Sequence, residues 1–148
     1  MINKHQTSII SEKAVLGSDV TIGPYCIINE NVKIGNNVNL KAHIYIDGNT
    51  TIGDNCTFFP YCSIGTSPQD LKYKGEKSKL KIGNNNIFRE NTTISKGTKD
   101  GGMKTIIKNN NLFMTGVHIA HDCVVANNVI MANMKYYLKH LVENGQKK

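Results

Sequence analysis

Residues 116–125 read Gly-Val-His-Ile-Ala-His-Asp-Cys-Val-Val, placing His118, His121 and Asp122 in a run that otherwise reads as buried strand. Imidazole titrates near neutrality, so an accessible histidine can take a proton from a substrate hydroxyl. A carboxylate beside it can fix the ring tautomer and stabilise the imidazolium that forms. His121 and the adjacent Asp122 supply those two groups, with His118 three residues earlier. The chain has no nucleophile elbow, and no serine has a recognisable partner. Base-assisted transfer to a bound hydroxyl therefore fits better than a covalent intermediate. The plainer reading is three polar side chains on a solvent face, and the period of the chain bears on that choice.

The period is six. Counting from Ile10, one slot holds Ile10, Leu16, Ile22, Ile28, Ile34, Leu40, Ile46, Ile52, Phe58 and Ile64, ten hexads in register. The second slot is often glycine, and the third and fourth are rich in Asn, Asp, Glu and Pro. The fifth is small or β-branched and includes all four cysteines, Cys26, Cys56, Cys62 and Cys123. A 3.6-residue helix cannot keep such a stripe on one side. Six residues suit a short strand and a sharp bend, and three such units close a triangular coil that stacks on the next at about 4.8 Å. The expected fold is an all-β parallel β-helix of hexapeptide repeats, about six coils, with the first and fifth slots inward. The cysteines read as small buried hydrophobes. His118 falls in a sixth slot and His121 and Asp122 in the third and fourth, positions that project outward.

The phase breaks twice, at Thr66–Lys81 and at Asp100–Ile106, and resumes at Ile82 and Ile107. Insertions in a solenoid leave it as loops on one side, often the binding side. The repeat is expected over residues 1–133. From Met134, the residues Met134, Tyr137, Leu138, Leu141 and Val142 fall at helical spacing, which predicts a short helical cap over residues 134–148. The rival reading continues the hexads, with Tyr137 in the first slot, but it places Lys135 in an inward one.

The formal charge is +7, from 18 Lys and Arg against 11 Asp and Glu. Few aromatics and no nucleic-acid-binding motif argue against a nucleic-acid partner. An acidic protein or an anionic small molecule fits the sign as well. No run approaches the ~18 apolar residues of a membrane span, and the first residues lack a signal-peptide core, so a cytoplasmic chain is expected. A zinc site remains an alternative. Gamma-type carbonic anhydrases, also hexapeptide β-helices, bind zinc through three histidines across a subunit boundary. His118 and His121 could be joined here only by His43, His140 or His5, none at a spacing characteristic of that family.

Four segments carry a closer likeness: Thr21–Cys26 (TIGPYC), Gln69–Glu76 (QDLKYKGE), Lys96–Thr98 with Gly101-Gly102, and His118–Cys123 (HIAHDC). With these the chain resembles the UDP-N-acetylglucosamine O-acyltransferases that begin lipid A synthesis, from Met1 to about Asn133. The resemblance implies a left-handed β-helix that forms homotrimers with active sites between subunits. It implies transfer of a 3-hydroxyacyl chain from acyl carrier protein to the glucosamine 3-hydroxyl of UDP-N-acetylglucosamine. It makes His121 the general base and Asp122 its orienting carboxylate, with His118 contacting the substrate. Asp70 and Lys72 would hold the nucleotide sugar, with Gln69 beside them. No metal or bound cofactor is implied. Because acyl carrier protein is acidic, the positive balance suits its capture.

The chain departs from that family in two places. Ser95-Lys96-Gly97-Thr98 stands where the family usually has His-Arg-Gly-Thr, exchanging a forked guanidinium for a point charge. After Asn133 the sequence is expected to carry neither the family's further coils nor its helical C-terminal domain. Aligned without a gap, His140 falls on another active-site histidine of the family, and Lys139 on the glycine whose amide helps stabilise the oxyanion. The alternatives are a non-catalytic trimeric remnant or scaffold, and a different hexapeptide acyltransferase using an acyl-coenzyme A donor.

Overall fold

The structure, a computed structural model, describes residues 1–137 and 141–142. Among the described residues every strand is short, most of two residues, and all pair in parallel within three seven-stranded sheets. Consecutive strands enter different sheets, so the chain winds as a parallel β-helix. Its register advances 18 residues per coil where no loop intervenes, as in Asn36 to Asp54.

Through the body of the helix, a two-residue strand points one side chain out and the next in. Thr21, Ile27 and Lys33 are exposed while Ile22, Ile28 and Ile34 are buried. The inward residues stack in columns. Ile22, Leu40, Phe58, Phe88, Phe113 and Met131 follow one another through paired strands along one sheet. The fifth slot lies inside as expected, and the four cysteines are free and buried there. Burial pushes the Cys56 thiol up to about 11 and the Cys62 thiol up to about 12, which leaves both protonated and unreactive at neutral pH.

The corners explain the polar slots. Side-chain oxygens of Asn36, Asp54, Asn84, Asn109 and Asn127 each accept a backbone N–H from the preceding coil at 2.7–2.9 Å. The fourth slot has left-handed backbone angles in coil after coil, with φ of 57° at Tyr25, 52° at His43, 69° at Tyr61 and 64° at Asp122. Three of those corner rings, Tyr25, His43 and Tyr61, stack at 5.0 Å. Glycine in the second slot has a steric cause. A Cβ at Gly23 would collide with the carbonyl of Lys41 in the next coil.

Both insertions leave the coil as loops. Ser63–Thr66 leads into residues 67–78, and the chain re-enters at Lys79–Ile82; Thr93–Ser95 leads into 96–103 and re-enters at Lys104–Ile107.

The expected helix from Met134 is not what the structure shows. Tyr136–Tyr137 and Leu141–Val142 are strands, paired in parallel with His118–Ile119 and Val124–Val125. The preceding coil offers unpaired N–H and C=O groups, and strand pairing satisfies them where a helix would leave them open. The objection to continued hexads was a buried lysine charge, yet Lys135 is exposed. With these strands and Asn3–Lys4 also paired, the described residues stack in seven layers rather than about six. Residues 138–140, His140 among them, and 143–148 lie outside the described residues. No described helix is long and apolar enough to cross a membrane.

Candidate active site

His118 and His121 emerge on one side of the helix because one is the outward residue of a strand and the other follows it at the corner. The strand His118–Ile119 lies against Thr93–Ser95 with His118 opposite Thr93. The His118 Nδ1 and Thr93 Oγ1 are 2.7 Å apart. Burial, then the neighbouring His121 charge, lowers the His118 pKa against the opposing effect of Thr93. The ring is held neutral.

Asp122 is placed differently from the expectation. Its fourth-slot position turns it out of the coil, but the 96–103 loop covers it and only 1% of its side chain is exposed. His121 Nδ1–H donates to its Oδ2 at 2.7 Å. Thr98 N–H donates to Oδ1 at 2.7 Å and the Thr98 hydroxyl to Oδ2 at 2.5 Å. The Asp122 N–H donates to Thr105 Oγ1. Burial opposes the charged carboxylate, but the Thr98 hydrogen bonds together with His121 outweigh it and hold its pKa below the ordinary aspartate value. With Nδ1 committed to Asp122, the lone pair of His121 sits on Nε2, the arrangement a general base needs.

An open cleft of about 730 Å³ lies over these rings, and its walls include Gln69, Thr93, Ser95, His118, His121 and Met134. Gln69 reaches it from the first loop. Asp70 and Lys72 do not. They line a separate cleft of about 350 Å³ with Tyr73, Lys99, Asp100 and Thr98. Within one chain the structure therefore unites Gln69, His118, His121 and Asp122 and leaves Asp70 and Lys72 apart. Ser95 forms part of the cleft wall, and the Lys96 ammonium lies 5.6 Å from the Tyr73 ring centre. Among the described residues no three His, Cys, Asp or Glu side chains gather as a metal site. His43 is taken up in the tyrosine stack and His5 bonds Thr7. Sequence reasoning missed Thr93, Thr98 and Thr105 as partners of the site. The signal for Thr93 was its position one coil before His118, 25 residues earlier.

The two perturbed groups set an acid sensitivity. Charging His118 is disfavoured in the folded state, whereas the unfolded ring takes its proton near 6.5, so stability falls as pH drops below about 6.5. The Asp122 contribution is present above 3.8 and is lost as pH falls through its lower folded value. Denaturation midpoints between pH 8 and 5 should decline, and His118→Gln should flatten that part of the curve; an equal decline in the variant would assign the loss elsewhere.

A bacterial transferase hexapeptide (six repeats) signature matches residues 13–43. The acyl-[acyl-carrier-protein]–UDP-N-acetylglucosamine O-acyltransferase of Thermodesulfovibrio yellowstonii is 52% identical over 137 residues, covering 93% of this chain and 53% of that protein. The enzyme of the same name from Aliarcobacter butzleri is 59% identical over 133 residues, covering 90% and 51%. Among solved structures, LpxA, a UDP-N-acetylglucosamine acyltransferase from Bacteroides fragilis, superposes with a TM-score of 0.87 at 43% identity, covering 90% of this chain and 52% of that one. The chain spans about half the length of the curated relatives it matches. Its fold is the left-handed parallel β-helix of hexapeptide repeats.

Proposed function

We propose, for a chain that belongs to the UDP-N-acetylglucosamine O-acyltransferase family over the length it covers, that it moves a 3-hydroxyacyl group from acyl carrier protein to the glucosamine 3-hydroxyl of UDP-N-acetylglucosamine, the first step of lipid A biosynthesis. The observation that carries this is the His121–Asp122 pair opening on a cleft, in a chain 52–59% identical to enzymes named for that reaction.

His121 Nε2 removes the proton of the sugar hydroxyl as its oxygen attacks the thioester carbonyl. The buried carboxylate of Asp122 stabilises the imidazolium, and the collapse of the tetrahedral intermediate expels the carrier thiolate, which takes the proton from His121. Oxygen–carbon bond formation and carbon–sulfur cleavage balance, and the imidazole returns neutral. His118, kept neutral, and Gln69 contact the substrate from the cleft walls. Asp70 and Lys72 bind the nucleotide part. Their separation from the histidine cleft within one chain suits a site completed by a neighbouring copy in a homotrimer. The excess of positive charge favours encounter with acidic acyl carrier protein, and the setting is the cytoplasm.

The test is a transfer assay on the chain with 3-hydroxyacyl carrier protein and UDP-N-acetylglucosamine. The expected product is the 3-O-acylated UDP-sugar, identified by mass, with acyl-coenzyme A a poor donor. A preference for the coenzyme A donor, or no product at all, would overturn the proposal. In the same preparation, calorimetry with the UDP-sugar should show weaker binding by Asp70→Ala. Identical isotherms would remove Asp70 from the site.

A further inference from the structure

Thr98 lies 24 residues from Asp122 in sequence, yet it gives that carboxylate two hydrogen bonds where His121 gives it one. The direction of the hydroxyl bond is fixed by a third residue. Gly101 N–H donates to Thr98 Oγ1 at 3.2 Å, which uses an oxygen lone pair and leaves the hydroxyl hydrogen for Asp122 Oδ2. Gly101 has a second part in the arrangement. A Cβ built on it would fall inside the carboxylate of Asp122, so the backbone of residue 101 closes directly over that group. Its φ is not in the left-handed region, so space, not conformation, requires glycine there. Thr105 holds the other end of the residue by accepting the Asp122 N–H.

We infer that Thr98 is a positioning residue for the proposed transfer: its N–H and hydroxyl, backed by Gly101, hold Asp122 in the one orientation that presents Oδ2 to His121 Nδ1 and so leaves the lone pair on Nε2. One Thr98 donor on each carboxylate oxygen fixes both the side-chain rotamer and the rotation of the carboxylate plane. Without the hydroxyl, Thr98 keeps only its N–H on Oδ1, the plane can turn, and the ring loses the partner that selects its tautomer. The consequence for rate rests on the transfer reading. The consequence for the ring does not. The other ionisable groups close by are His118 in the same cleft, and Lys99 and Asp100 on the Thr98 turn.

The experiment uses the full chain labelled with ¹⁵N at histidine, the His121 signals being assigned by their loss in His121→Gln. In the parent, Nδ1 should carry the proton in the neutral ring. Thr98→Val, which keeps shape and N–H, should give a mixture of tautomers and a kcat lower by about tenfold with KM nearly unchanged, the pattern of misorientation. Thr98→Ser should restore both. Gly101→Ala, with Thr98 intact, should reproduce the valine result because its methyl displaces the carboxylate. A Thr98→Val ring spectrum and rate equal to the parent overturn the inference, as does a serine variant that fails to recover while remaining folded. If the parent shows no transfer at all, the ring spectra still decide the role of Thr98, and it is the transfer reading alone that falls.

Discussion

His121→Ala lowers kcat for acyl transfer by about 10³-fold, within the roughly 10²–10⁴ that a positioned general base contributes. Two features isolate that loss to chemistry. The side chain is 26% exposed at the edge of an open cleft, so truncation leaves no closed cavity. Asp122 keeps its hydrogen bonds from Thr98, so removal of the ring does not strand a buried charge. Thermal midpoint and UDP-sugar binding should therefore stay near parent values while turnover collapses. His118 cannot substitute, because its Nδ1 is engaged by Thr93 and its depressed pKa marks a ring stabilised as neutral, a poor proton acceptor. Turnover at the parent rate would end the assignment of His121 as base, and a variant that failed only through weakened sugar binding would make the residue a binding group instead.

The repeat was legible because a triangular coil imposes one constraint at every sixth residue. Ile22, Ile34 and Ile52 repeat it without help from distant sequence, and all are buried. The cysteines were legible by the fifth slot of the same repeat. The end of the chain was not, since Tyr137 and Leu141 stand four apart and satisfy a helical stripe as well as the first and fifth slots of a hexad. The backbone of the preceding coil decides between them, and the pattern of side chains carries no record of it. The site divided in the same way. His118 and His121 follow from slot positions, but the burial of Asp122 depends on the path of residues 96–103, a loop outside the period, and so the pairing of Thr98 with Asp122 could not be read. The separation of Gln69 from its neighbours Asp70 and Lys72 turns on the fold of the first loop, where Asp70 accepts the Lys72 N–H and Tyr73 bonds the Glu76 carbonyl.

Phe88→Ala should cost about 3–5 kcal/mol of stability, the range for truncating a buried aromatic side chain. Phe88 is fully buried between Phe58 and Phe113, with ring centres 4.5 and 4.9 Å away and nearly parallel planes. The walls of the tube are backbone ladders, whose spacing is set by hydrogen bonds and cannot shrink to fill the gap, so the cavity persists and both stacking contacts are lost. In a stack where each coil touches only its neighbours, that loss falls on one boundary. Asn91, Thr93 and Ser95, which line the histidine cleft, belong to the stretch that follows Phe88, and Thr93 carries the bond to His118. The variant should therefore lose amide-exchange protection from Thr93 to Val125 while Ile22 to Ile46 keep theirs, and its urea transition should broaden as the two parts uncouple. Phe88→Leu, which refills much of the space, should cost under about 1.5 kcal/mol and keep one transition. A uniform loss of protection along the whole chain would show that the coils unfold as a single unit, and that the site draws its rigidity from the entire stack rather than from this boundary.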